Sequence, residues 1–185
     1  SRPEFIEDAV LSAVAQSHGR KRIVVGVDRD QREFLVDLIT RLSWVSSIPV
    51  AYVVADAQTD WRYAIELSEA DDIVQLMPGD GVMHPAGLAE VAVWFDRNDP
   101  DVLYFDEDEL GGLPGDEVGS RPHVSPVLKP AFDFDLLLQT AYPGAFVAFR
   151  RQAWSAAAHV LDGRTLGAWA GSRCLLELAD RPSAV

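Results

Sequence analysis

The chain has 185 residues, 48% of them hydrophobic, and carries a formal net charge of −13 with a pI near 4.5. Length and apolar content suit one buried core in a single domain spanning residues 1–185, while the acidic charge opposes nucleic acid and anionic bilayers, which carry the same sign. No apolar run reaches the length of a membrane span, and the opening SRPEFIED lacks the layout of a signal peptide, so the expectation is a soluble, cytoplasmic chain without a transmembrane segment.

In chain order, Arg2 to Gln16 sets Phe5, Ile6, Ala9, Val10, Ala13 and Val14 on one face, which predicts an amphipathic helix. Gly19 stops it. Arg22 to Val27, RIVVGV, reads as a strand buried on both faces and running into Asp28 and Asp30. A second helix is expected from Gln31 to Trp44, a strand from Val50 to Val54 after Pro49, and a helix from Asp60 to Ala70. Ile73 to Met77 and Val102 to Phe105 read as strands, each followed at once by acidic or glycine-rich residues. Between them Pro85 opens a helix marked by Leu88, Val91, Ala92 and Phe95. This alternation predicts an α/β fold with a mostly parallel sheet, whose ligands bind outside the carboxyl ends of the strands. Pro78 to Gly81 and Asp106 to Glu109 occupy such ends.

Residues 111–131 crowd glycines and prolines together and read as one long loop, a kind of segment that is usually functional or mobile. Phe132 to Gln139 then suggests a helix, Ala145 to Phe149 a strand, and Arg151 to Val160 and Gly171 to Ala179 two further helices. Trp61, Trp94, Trp154 and Trp169 fall at or near apolar helical positions, which favours core packing. The lone cysteine, Cys174, forms no internal disulfide and reads as a small buried side chain.

Taken together these segments resemble the family 2 glycosyltransferases, enzymes of the GT-A fold, a Rossmann-like layer with helices on both faces of its sheet. SRPEFIEDAVLSAVAQSH resembles the family's first helix, RIVVGVDRD its second strand, and YAIELSEADDIVQLMPGDGVMHPAGL its helix, strand and acidic turn. VLYFDEDEL and RPHVSPVLKPAFDFDLLLQTAYPGAFVAFRR resemble a subgroup pattern of D-E-D, K-P, D-L-L-L and a closing strand with two arginines. The resemblance implies inverting transfer of a sugar from a UDP- or dTDP-linked donor to a saccharide or cell-envelope acceptor, with Mg²⁺ or Mn²⁺ as cofactor. It implies Asp28 on the uridine side and Asp80 as metal or phosphate-side ligand, the alternative for Asp80 being an acidic turn residue after Pro-Gly. It implies Asp106, Glu107 and Asp108 near the sugar and acceptor, the alternative being a solvated acidic strand end, and Lys129 as either a phosphate or sugar contact or a surface cation.

The chemistry explains why such residues are sought. A departing nucleotide diphosphate gains charge that a cation held by carboxylates stabilises, and the acceptor hydroxyl needs a general base. This chain departs from the pattern at both places. Where the family has D-x-D-D before H-P, Pro78, Gly79, Asp80 and Gly81 precede His84 and Pro85, and where it has the acidic pair containing the base, Gly171 and Ser172 stand. Asp162 is a candidate for a displaced base, the alternative being a helix-ending Asp-Gly turn, and no catalytic residue is assigned. A non-catalytic binding or assembly module is the alternative function. The sequence begins at the position that follows the family's first strand, so the expectation is either that strand RIVVGV pairs elsewhere, its open edge inviting a homodimer, or that the sequence is a piece of a longer chain.

Overall fold

The computed structural model describes residues 3–55, 72–112, 116, 120–161 and 169–179. The expected helix over residues 60–70, Trp61 and Asp162 lie outside the described residues, as does the side chain of Asp28. The described elements divide between two compact units.

The first unit holds helix α1 (Pro3–Val14), strand β1 (Ile23–Asp28), helix α2 (Arg32–Ser43), strand β2 (Val50–Ala55) and helix α3 (Gly87–Asn98). β1 and β2 pair in parallel from Ile23↔Val50 to Asp28↔Ala55. The apolar stripes of the two N-terminal helices meet the sheet in one cluster, with Ile6 and Val10 from α1, Val27 from β1, and Leu35, Leu38 and Leu42 from α2. Val27 is the buried member of β1, whose Gly26 is exposed, so the strand read as buried on both faces buries chiefly its odd-numbered side.

The turn before α3 is anchored by one buried glutamine. Gln16 Nε2 donates to the carbonyls of Ser12 (3.1 Å), Met83 (3.3 Å) and His84 (2.8 Å), and its Oε1 accepts the Leu88 amide at 2.9 Å. Ala86, the residue before α3, offers no side-chain cap, so Gln16 satisfies one of the orphan first-turn amides from a distance of 72 residues in sequence. Gly87 is required beside it, because a Cβ there would come within 2.6 Å of Met83 Cγ.

The second unit holds β3 (Ile73–Leu76), β4 (Val102–Tyr104), β5 (Glu107–Leu110), β6 (His123–Val127), α4 (Phe134–Gln139), β7 (Val147–Arg150), α5 (Arg151–Ala157) and α6 (Ala170–Ala179). Its sheets correct the fold class expected from sequence. β7 lies between β3 and β4 and is antiparallel to both, and β5 pairs antiparallel with β6. Among the described residues only β1 and β2 pair in parallel, so this is not the mostly parallel, Rossmann-like GT-A sheet.

The physical reason lies in what alternation encodes. A strand, helix, strand run makes β3 and β4 point the same way without making them neighbours. β7 supplies Val147, Ala148 and Phe149, all fully buried, and the most apolar strand takes the central slot. Behind it Phe149 meets Trp154 of α5 edge-on at 5.5 Å, and Cys174, Leu175 and Leu178 of α6 complete the core. Trp154 is thus a core residue as expected, whereas Trp94 and Trp169 are exposed.

β6 forms inside the stretch expected to be loop. Its five residues are all exposed, and it carries Ser125 at φ +51° and Pro126. A bulge between Glu107 and Glu109 shifts its register against β5.

Replacing Gln16 with alanine removes four hydrogen bonds and strands buried polar groups, each costing about 1–3 kcal/mol. We expect Gln16→Ala to lower stability by about 2 kcal/mol in urea titration and to speed hydrogen exchange at the Leu88 amide; unchanged Leu88 protection would refute the cap.

Candidate functional site

The acidic strand end and the K-P segment, more than twenty residues apart in sequence, meet within the second unit. The Lys129 side chain is only 3% exposed and its Nζ sits 2.5 Å from Glu107 Oε1. Nζ also donates to the Pro143 carbonyl at 2.7 Å. Asp106 accepts the Lys129 amide at 2.7 Å, and Glu107 accepts the Phe146 amide at 3.4 Å. Asp108 pairs with His123 Nδ1 at 2.9 Å across the β5–β6 ladder.

Gly144 completes the arrangement. Its φ of +75° favours glycine, and a Cβ there would collide with the Glu107 carboxylate and the Lys129 ammonium. The backbone approaches the ion pair this closely because nothing stands on residue 144.

Two tyrosines hold the loop that follows Lys129. Tyr104 Oη donates to the Pro130 carbonyl at 2.7 Å, and Tyr142 Oη accepts the Asp133 amide at 2.9 Å. Their rings meet edge-on at 5.7 Å. Burial first, then the hydrogen bond and charge of Tyr142, raise the Tyr104 phenol above its ordinary value. Asp133 also caps α4, its Oδ1 accepting the Leu136 amide at 2.9 Å.

Of the residues the resemblance singles out, Asp106, Glu107 and Lys129 are in direct contact in the structure. Lys129 is a buried cation in an ion pair, neither the free surface charge nor an open phosphate contact. His123 meets Asp108. Gly144 and the two tyrosines escaped notice, although the Tyr-Pro-Gly run at 142–144 carries a turn signal. Arg150 Nε donates to the Pro100 carbonyl at 3.3 Å.

Asp28 ends β1, and Asp80 is exposed in the turn after Pro78 and Gly79; both belong to the first unit. Among the described residues no group of three or more His, Cys, Asp or Glu side chains is arranged to hold a metal ion. Carboxylates already bound to Lys129, His123 and backbone amides do not make a ready donor set for Mg²⁺ or Mn²⁺. No chemical step is built on a cation here.

Helix α6 bears on the missing base. A Cβ on Gly171 would stand 2.5 Å from Val147 Cγ2 and 3.1 Å from its Cβ. Ser172 is 3% exposed, and its hydroxyl has no hydrogen-bond partner. Cys174, fully buried one turn further on, is pushed up from 9.0 to about 12 by burial, with Glu177 adding and Arg173 opposing.

No protein-family model matches the chain, and no curated protein matches it. Among the described residues, no helix is long and apolar enough to cross a membrane.

Two measurements follow from this geometry. Removing one member of a buried ion pair leaves its partner uncompensated, at a cost of several kcal/mol when both are deep. Because Glu107 is partly exposed, Lys129→Met is expected to cost about 2 kcal/mol in chemical denaturation, and adding Glu107→Gln should recover part of that loss; strict additivity would show the pair to be uncoupled. Raised folded pKa values at Cys174 and Tyr104 mean that above pH 9 the unfolded chain ionises while the folded chain keeps its protons. Stability should therefore fall as pH rises from 9 towards 12, and Cys174→Ala should flatten that fall; an unaltered slope in urea melts at pH 8 to 10.5 would contradict it.

Proposed function

We propose that the chain is a non-catalytic relative of the family 2 glycosyltransferases, a saccharide-handling binding or assembly module that has kept the family's ordered segments and lost its chemistry. The observation that carries this reading is the packing of Gly171 against Val147. The position where the resemblance expects an acceptor-activating carboxylate has no room for even a methyl group unless the Val147 side chain gives way. Its neighbour Ser172 is buried, and among the described residues its hydroxyl has no hydrogen-bond partner that could act as a base. A transferase needs a group that takes the acceptor's proton, and the carboxylates of the acidic run are engaged in holding the fold.

On this reading Asp28 and Asp80 are vestiges of the nucleotide side, and the chain works in the cytoplasm beside polysaccharide or cell-envelope assembly. One observation favours a second reading, active transfer from a UDP- or dTDP-sugar. Asp106, Glu107, Asp108 and Lys129 converge, as a sugar pocket would require.

The two readings separate in a single assay. UDP release from UDP-glucose, UDP-galactose and dTDP-glucose is followed with Mn²⁺ and saccharide acceptors present, beside calorimetric titration of UDP with and without Mn²⁺. The non-catalytic reading expects no release above a protein-free control and no effect of Mn²⁺ or of Asp80→Ala on UDP heats. Turnover that requires Asp80 would overturn it.

A further inference from the structure

We propose that Asp80 is a site of spontaneous covalent modification, at which the chain passes through a cyclic imide closed by the Gly81 amide and emerges as isoaspartate. An Asp-Gly pair is the sequence requirement, since a residue without a Cβ leaves its own amide open to the preceding side chain. A fold silences such a pair by tying down its amide or its carboxylate. Here neither is tied. Asp80 is exposed in the turn it forms with Gly79, and among the described residues its carboxylate has no hydrogen-bond or ion-pair partner and the Gly81 amide donates to no acceptor. Other aspartates differ: Asp106 and Asp133 accept backbone amides at 2.7 and 2.9 Å, and Asp108 meets His123 at 2.9 Å.

The chain on either side gives this turn the freedom that ring closure needs. Strand β3 is held to β7 as far as Leu76, opposite Val147. Met83 is held at both of its backbone groups, its amide donating to Ser12 Oγ at 3.2 Å and its carbonyl accepting from Gln16 Nε2 at 3.3 Å. Between those anchors, Pro78 to Val82 makes no hydrogen bond to a described residue. Backbone rotation about Asp80 therefore breaks none.

The step balances without a cofactor or a redox partner. The Gly81 nitrogen attacks Asp80 Cγ, an N–Cγ bond forms, the Cγ–OH and N–H bonds break, and one water leaves. Water then opens the imide. Addition at Cγ restores aspartate, whereas addition at the main-chain carbonyl carbon of Asp80 breaks its bond to the Gly81 nitrogen and leaves the backbone running through the side chain. The product carries one more methylene in its main chain and a carboxylate on Cα. Because the chain leaves the second unit at Pro78 and enters the first at Gly79, that methylene is added to the connection between them, while the anchors at Leu76 and Met83 stay in place.

The test incubates the whole chain in warm neutral buffer beside a synthetic peptide of residues 76–84. Isoaspartate is located by electron-transfer fragmentation of tryptic peptide 63–97, which excludes the other Asp-Gly pair at 162–163. It is expected at residue 80 of the folded chain, forming within about fivefold of the peptide's rate. Gly81→Ala should slow it about tenfold, and Asp80→Asn should speed it about tenfold, because a neutral carboxamide is attacked more readily than an ionised carboxylate. Among the described glycines only Gly112 and Gly144 have positive φ, so Gly81→Ala strains no backbone, and thermal melts check that both variants fold. An unmodified residue 80 in the folded chain once half of the peptide has converted, or a rate that Gly81→Ala leaves unchanged, would overturn the site.

Discussion

The second unit depends on burying one ammonium group, that of Lys129. A lysine taken out of water is tolerated only when its charge and its donors are answered, and here Glu107 and the Pro143 carbonyl answer them. That requirement propagates. It draws β5 toward the turn preceding β7, it demands a bare backbone at Gly144, and through the Lys129 amide it fixes Asp106 at the end of β4. A buried pair of this kind adds little net stability over an apolar substitute, but it admits only one register of the elements it joins.

The same economy explains why an acidic run can look catalytic and be structural. Three consecutive carboxylates at a strand end invite a metal or sugar, and each is instead matched by a partner from within the unit: a backbone amide, an ammonium and an imidazole. Charge density alone does not distinguish the two uses. What distinguishes them is where the lone pairs point, and that is a property of tertiary packing.

Local order was legible in the sequence to the extent that it is written in periodicity. The stripe of Ile6, Val10 and their neighbours specified α1, and the spacing of Leu35, Leu38 and Leu42 specified α2, each within a residue or two of its observed ends. Sheet adjacency was not legible, because strand and helix alternation carries direction but no pairing. The expected parallel sheet rested on that alternation alone, whereas β7 lies between β3 and β4 and is antiparallel to both. β6 was hidden because His123, Ser125 and Pro126 are poor strand formers, and only its ladder with β5 makes it one. At the site, the family pattern singled out Asp106 to Asp108 and Lys129 as ligand contacts, and their pairing with one another depends on tertiary packing. The roles of Gly144, Tyr104, Tyr142 and Gln16 were out of reach, since each depends on contacts across many residues.

The odd composition of β6 has an outcome for the life of the molecule in a crowded solution. A two-stranded ribbon with solvent along its outer side would ordinarily template further strands, one chain upon the next. Proline at 126 deletes a donor from the ribbon, and the left-handed twist at Ser125 bends it out of the plane that cross-β stacking needs. Both features oppose the addition of a further strand at β6.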